Sequence, residues 1–345
     1  MVTANEAGTG FGLCRFGRER ADWRPGKANG MSRLAIQVVA ATDRGTRLGV
    51  APLGRLCRQF GYPAVFFFAM GPDRMGRTVW LERWRRRGKG AEAARLVWDF
   101  GRGAGMNGVW RPGPPLARSH GALMRRVREA GFEVGVAGFD YDGWRRRLPR
   151  WPVERVRAEI NAAVAEYQRL FGSRPRVLAA PDWQCSVASL RVNDEMRLLA
   201  AFDTRGQGWF LPSMEGRAFQ TPQAPVTLPP LEEVRQRVGE DPEDWVAFYR
   251  ERIRAGGDHL MLVRAELEGL RETGFFETLL GVLAADGVAG WPLIEELELS
   301  ARGGHSRLPR EEIELLPAPG RRGRVAFQAS AAVARPAPKW HSRAG

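Results

Sequence analysis

The stretch VVAATDRGTR, residues 38–47, sets the reading of the whole chain. It opens as a run of small and β-branched apolar residues, the composition of a strand buried on both faces, and closes in a polar, glycine-containing turn. Residues 47–60 (RLGVAPLGRLCRQF) then place Leu48, Leu53, Leu56 and Phe60 at helical spacing. Strand, turn and amphipathic helix make the first half of a parallel βαβ unit, and the alternation continues. AVFFFAM is a second strand, GALMRRVREAGF a helix closing on Gly131, and EVGVAGF a third strand. The clearest helix covers 153–171, with Val156, Ile160, Ala163, Val164, Tyr167 and Phe171 on one face and Gly172 as its stop. RVLAA and LLAAFDT read as short strands around a helix at 187–199. DHLMLVRAEL is a late strand, followed by a helix at 273–286. Repeated strand–helix units predict an α/β fold with a parallel sheet or barrel, as one domain.

Composition sets limits on function. The chain has 345 residues, 44% apolar and 27% charged, which is ordinary for a globular protein. The charge is not ordinary: 53 Lys and Arg against 39 Asp and Glu give +14. Such a chain attracts polyanions, whether nucleic acid, an anionic membrane face or a phosphorylated ligand. No nucleic-acid motif accompanies the charge, so no specific nucleic acid is expected as partner. Cys14, Cys57 and Cys185 lie too far apart for a disulfide framework or a zinc knuckle, and a reducing, cytoplasmic compartment is the simplest context. No signal-peptide pattern opens the chain, and the longest apolar run is too short to span a bilayer.

Residues 1–31, rich in Gly and Arg, read as a disordered leader, with Met31 an alternative start. The ordered domain is expected over 32–300, and residues 301–345 as a basic flexible tail. One insert breaks the strand–helix rhythm, at 81–111. Trp84, Trp98 and Trp110 stand there among many arginines, with Trp80 just before them. This composition suits either a membrane interface or a helical lid whose arginines are solvated.

Five motifs recur in order at wide separations: RGTRLGV, VFFFAMGPDRMGR, DTRG, PVTLP and RAELEG. Together they resemble the polysaccharide deacetylase family. They look most like its branch that removes a formyl group from 4-deoxy-4-formamido-L-arabinose-phosphoundecaprenol in lipid A modification. The resemblance covers roughly residues 33–299 and implies a distorted (β/α) barrel. It also implies a divalent metal, a catalytic aspartate and a metal-binding aspartate two residues later, two metal-binding histidines one helical turn apart, an arginine after a tryptophan, and a late histidine as general acid. Carried onto this sequence, the aspartate positions are Val39 and Ala41, the two histidine positions Ala137 and Tyr141, the arginine Gln184 after Trp183, and the general acid Arg264.

Chemistry opposes the family reaction at these positions. A hydrolytic metal needs about three protein ligands and an open water position, and it lowers the pKa of that water to about 7. Ala41 and Ala137 have no donor atom, and Tyr141 would have to ionise from about 10. Arg264 adds a cation where a dication would sit. At about 4 Å and an effective dielectric of about 20, each unit-charge repulsion costs roughly 4 kcal/mol. No bound metal or other cofactor is therefore expected. The four histidines, His120, His259, His305 and His341, lie at no ligand spacing and read as surface or capping residues.

Several groups remain as candidates for binding a ligand: Arg44, Arg47, Arg74, Arg77, Asp140, Asp182, Trp183, Asp203, Arg205, Glu266 and Glu268. Asp140, Asp203, Glu266 and Glu268 read best as structural acids, one of which pairs with Arg264. In GPDRMGR, Gly71 and backbone N–H groups with Arg74 and Arg77 suit a phosphate. The expected function is a catalytically degenerate deacetylase-like protein, cytoplasmic or peripheral on the inner membrane. It would bind a lipid-linked sugar phosphate, an anionic membrane surface, or an active homologue or pathway enzyme. The alternative is an active sugar-amide hydrolase with a remodelled site.

Overall fold

The computed structural model describes residues 31–85, 106–318 and 323–333. The leader, most of the Trp/Arg-rich insert and the end of the tail lie outside the described residues.

The opening stretch begins at the end of an interior strand of a parallel sheet. β1 (Ser32–Ala40) lies between β2 (Ala64–Phe68) and β8 (Gly257–Arg264), and β9 (Ala289–Gly290) pairs with its first residues. β3 (Glu133–Val136), β4 (Val177–Leu178) and β5 (Ala200–Ala201) extend the sheet in the order β5-β4-β3-β2-β1-β8. A strand flanked on both edges and covered on both faces has no solvent-facing side, which is why VVAA carries no polar alternation. Leu34, Ile36, Val38, Phe66, Phe67 and Phe68 are all fully buried.

The PVTLP motif closes the gap between the two end strands. Just before the motif Ala224 N donates to Ala201 O of β5 at 2.8 Å, and within it Thr227 N donates to Leu260 O of β8 at 3.1 Å. Leu260 N returns a bond to Thr227 Oγ1 at 3.0 Å. The sheet thus curls into the distorted (β/α) barrel that the resemblance implies. The helices fall where periodicity predicts them, among them Val50–Gln59, Val153–Phe171 and Thr273–Ala285.

RGTRLGV and RAELEG form two π-helical turns, Gly45–Gly49 and Leu267–Arg271, standing side by side after β1 and β8. Their glycines permit backbone to touch backbone. A Cβ on Gly49 would lie 1.9 Å from Ala265 O, and one on Gly269 would lie 2.6 Å from Gly49 O. Because the obstacle is main chain, it cannot rotate away. Gly49→Ala is expected to destabilise the protein by about 1–3 kcal/mol, the usual penalty for overpacking. A thermal melt unchanged from wild type would refute that account.

Residues 301–318 and 323–333, expected as part of a loose tail, are instead part of the fold. β10 (Arg310–Pro317) and β11 (Arg324–Gln328) pair antiparallel, and β10 runs parallel to β6 (Leu211–Met214), which turns back into β7 (Arg217–Ala218). The sheet packs Ile313 and Ala326 against Phe210 and Phe219. Short apolar runs bracketed by arginines hid these strands. Arg310 is not loose charge, because its Nη1 donates to Phe219 O at 2.9 Å.

Candidate functional site

The carboxyl ends of β1, β3, β4 and β8 meet at one small cavity. Its lining includes Val39, Ala137, Tyr141, Asp182, Trp183 and Arg264. Four of the six positions singled out by resemblance therefore do come together, and the β1–β8 register sets Val39 beside Arg264. Ala41 lies just past the strand end, where its N–H and that of Thr42 donate to Glu266 Oε1, both at 2.9 Å. Gln184 points away, with its Nε2 donating to Arg324 O at 2.8 Å. The cavity measures about 10 Å³, at the lower limit of the ~10–15 Å³ that one water needs. Side chains fill the centre, so a sugar would sit above it and not within it.

Arg264 dominates the electrostatics. Nη1 is 2.9 Å from Glu232 Oε1, and Nη2 is 3.1 Å from Asp182 Oδ1. The other Asp182 oxygen is 3.1 Å from Arg145 Nη1. Burial pulls the Arg264 pKa down, but Glu232 and Asp182 outweigh it, and the net shift is upward. Burial, with the Asp182 charge second, raises the Tyr141 phenol above its ordinary value. Asp182 and Trp183 both adopt left-handed backbone, φ 52° and 54°, at roughly 1–2 kcal/mol each. Their side chains are gripped from outside, Asp182 by two arginines and Trp183 by Arg205 stacked 5.3 Å from its ring.

The donor set does not fit a divalent metal at this position. Ala41 and Ala137 offer no donor, Tyr141 is held protonated, and Asp182 is already shared by two guanidinium groups. Among the described residues, no three His, Cys, Asp or Glu side chains are grouped as a metal site. A dication would also face the Arg264 charge.

The remaining candidates divide into three groups. Arg264 does form an internal ion pair, but with Asp182 and Glu232 in place of the four acids expected. Of those four, Glu268 accepts the Arg264 backbone N–H at 2.7 Å. Asp203 is buried and structural, accepting from Ala180 N at 2.8 Å and Asn193 Nδ2 at 2.7 Å. Asp140 caps the helix Tyr141–Arg147 through Gly143 N and pairs with Arg74. Arg205, expected to bind ligand, is buried with Glu233 and does not line the cavity. Arg44 and Arg47 do not line it either. In GPDRMGR the Gly71 N–H is engaged by Phe139 O at 3.1 Å and Arg74 by Asp140, which leaves Arg77 but not that amide for an anion.

Sequence reading missed Glu232, Arg145 and Gln37. Gln37 had a signal: it stands two residues before Val39 on the same face of a buried strand, where a polar side chain is out of place. It lines the cavity, 1% exposed, with Oε1 unpartnered among the described residues. His120, read as a surface or capping residue, stands at the N-cap position of the helix Gly121–Glu129, and its Nε2 is 2.8 Å from Asp43 Oδ1.

Burial, reinforced by the nearby Glu232 charge, pushes the Glu268 carboxyl up from 4.5 to about 8. A raised carboxyl binds more protons folded than unfolded between those values. Its contribution to stability is therefore lost as pH rises from about 4.5 to about 8. Glu268→Gln removes that titration. Its stability, relative to wild type, is expected to improve between pH 5 and pH 9, measured by urea denaturation. A difference that does not change with pH would refute it.

No protein-family model matches the sequence. The chain is 27% identical over 310 residues to a protein of Shewanella sediminis assigned as the 4-deoxy-4-formamido-L-arabinose-phosphoundecaprenol deformylase ArnD, covering 87% of this chain and 96% of that protein. The corresponding protein of Wigglesworthia glossinidia brevipalpis is 22% identical over 302 residues, covering 82% of this chain and 98% of that one. A solved structure from Mycobacterium smegmatis, assigned to the polysaccharide deacetylases, superposes with a TM-score of 0.56 at 13% identity. That superposition covers 88% of this chain and all of the other. The fold is that of the polysaccharide deacetylases, and the sequence is similar to the deformylases over nearly their whole length.

Proposed function

We propose that this chain, built on the polysaccharide deacetylase fold and similar to the ArnD deformylases, binds a polyprenyl-phosphate-linked amino sugar without metal-dependent hydrolysis. One observation carries the reading: the Arg264 guanidinium, held by Asp182 and Glu232, lies at the wall of the cavity where a metal-binding centre would need donors. A fixed internal cation neutralises the acids that remain, so the mouth is stable without an exchangeable ion. The ligand class rests on the similarity to deformylases of a lipid-linked sugar. Contact with an anionic membrane face agrees with the +14 charge and with exposed Trp80 and Trp110. Among the described residues no helix is long and apolar enough to cross a membrane. Active sugar-amide hydrolysis is the competing reading, favoured by a similarity that spans 96% of one deformylase.

Metal titration separates the two. Calorimetry with zinc, manganese and cobalt is expected to show no stoichiometric binding. One tight equivalent of any of them would overturn the proposal and make deformylation of the lipid-linked sugar the next assay.

A further inference from the structure

A second concavity lies beside the GPDRMGR loop. It is an open groove of about 480 Å³ whose lining includes Arg74, Arg77, Trp110 and Arg111. Arg74 is engaged, its Nη1 pairing with Asp140. Arg77 and Arg111 are not: among the described residues neither makes an ion pair. Each is anchored by Nε alone. Arg77 Nε donates to Gly108 O at 2.8 Å, and Arg111 Nε donates to Asn107 Oδ1 at 2.9 Å. Fixing a guanidinium through Nε sets its plane and leaves the two Nη groups as a fork, the geometry that matches phosphate oxygens.

The anchors are themselves held. Asn107 is buried and donates through Nδ2 to Asp73 Oδ2 at 2.7 Å. Asp73 is buried too, and takes N–H bonds from Asp43 and Met75, both at 3.1 Å. The Arg111 fork is thus fixed through Asn107 and Asp73 back to the end of β1. Trp110 is 70% exposed and meets Trp80 edge to face at 6.0 Å. An exposed indole pair beside two uncompensated cations suits a ligand with a phosphate at one end and an apolar chain or ring at the other. The Arg74–Asp140 pair stands between this groove and the cavity, since Asp140 precedes Tyr141 of the cavity lining.

We propose that this groove is a phosphate-ester binding site, with Arg77 and Arg111 holding the phosphate oxygens and Trp110 covering the attached group. The proposal deepens the reading of the function, on which it rests only for the identity of the attached lipid; the phosphate chemistry stands on the groove alone. The ester comes either from a polyprenyl phosphate headgroup or from a soluble sugar phosphate.

Calorimetry on the full chain with farnesyl phosphate, farnesol, arabinose 1-phosphate and inorganic phosphate tests it. Farnesyl phosphate is expected to bind, and farnesol at least about tenfold more weakly. Arg77→Ala and Arg111→Ala should each weaken the phosphate probe about tenfold or more, and the pair together about a hundredfold. Arg111 is exposed, so its variant folds even if Arg77→Ala does not, and Arg111→Lys should recover only part of the affinity. Farnesyl phosphate far tighter than arabinose 1-phosphate supports the lipid source, and equal binding of the two supports the soluble one. Farnesol binding as well as farnesyl phosphate, or Arg111→Ala leaving phosphate affinity within twofold of wild type, would overturn the site. Metal titration is indifferent to every one of these outcomes, so the site and the metal-free reading can fail separately.

Discussion

Arg205→Met is expected to lower the stability of the protein by about 3–5 kcal/mol, the range for breaking a buried ion pair by removing one partner. Arg205 Nη1 lies 2.8 and 2.9 Å from the two Glu233 oxygens. Its guanidinium is sandwiched, 5.3 Å from the Trp183 ring and 5.0 Å from the Phe327 ring. Its N–H donates to Ala326 O, and Gln328 N donates back to its carbonyl, so the residue ties the barrel to β11. Methionine fills much of the volume but strands a buried carboxylate. Most of the loss should therefore come from Glu233, and Arg205→Met with Glu233→Leu should be markedly more stable than Arg205→Met alone. Urea denaturation of the three proteins decides it. If the double variant is no better than the single, the penalty lies in packing against the two rings and not in the stranded charge.

Placing donors at the cavity should create a metal site, which the present side chains do not fit. The variant carries Val39→Asp, Ala41→Asp, Ala137→His, Tyr141→His and Arg264→His. Val39, Ala137, Tyr141 and Arg264 already line one cavity, so four of the five new side chains converge there. Removing Arg264 also deletes the competing cation and frees Asp182, which keeps Arg145. The expected zinc Kd falls from above about 1 mM to about 1 µM or tighter, a gain of roughly 4 kcal/mol. Calorimetry checks it, with Arg264→His left out as a control. If the variant keeping Arg264 binds zinc as tightly, the guanidinium is no obstacle to metal, and the charge argument for the metal-free centre fails.

Strand–helix order was legible because each element has its own period, and 153–171 is recovered residue for residue as Val153–Phe171. Closure of the barrel was not legible. PVTLP has two prolines and no strand period, and its role depends on Ala201 and Leu260 standing the right distance apart. β10 and β11 were hidden for a related reason: REEIELLP reads as charge, and its apolar face exists only once β6 and β11 lie beside it. At the site, the lack of metal donors at Val39, Ala41, Ala137 and Arg264 was readable residue by residue, because an absent donor is a property of the residue. The partners of Arg264 were not. Glu232 and Asp182 lie 32 and 82 positions from Arg264, and only the fold brings them to it.

Synthesis runs from β1 to β8, and these two strands are neighbours in the sheet. Ser32 pairs with Gly257 and Val39 with Arg264. At ribosomal speeds of about 5–20 residues per second, β1 leaves the ribosome roughly 10–50 s before the strand that covers its open edge is made. Throughout that interval an apolar strand has one side unpaired, the kind of edge that recruits other chains. The protein is therefore most exposed to aggregation while still being translated, and a holdase that binds extended apolar segments would protect it more during synthesis than after release.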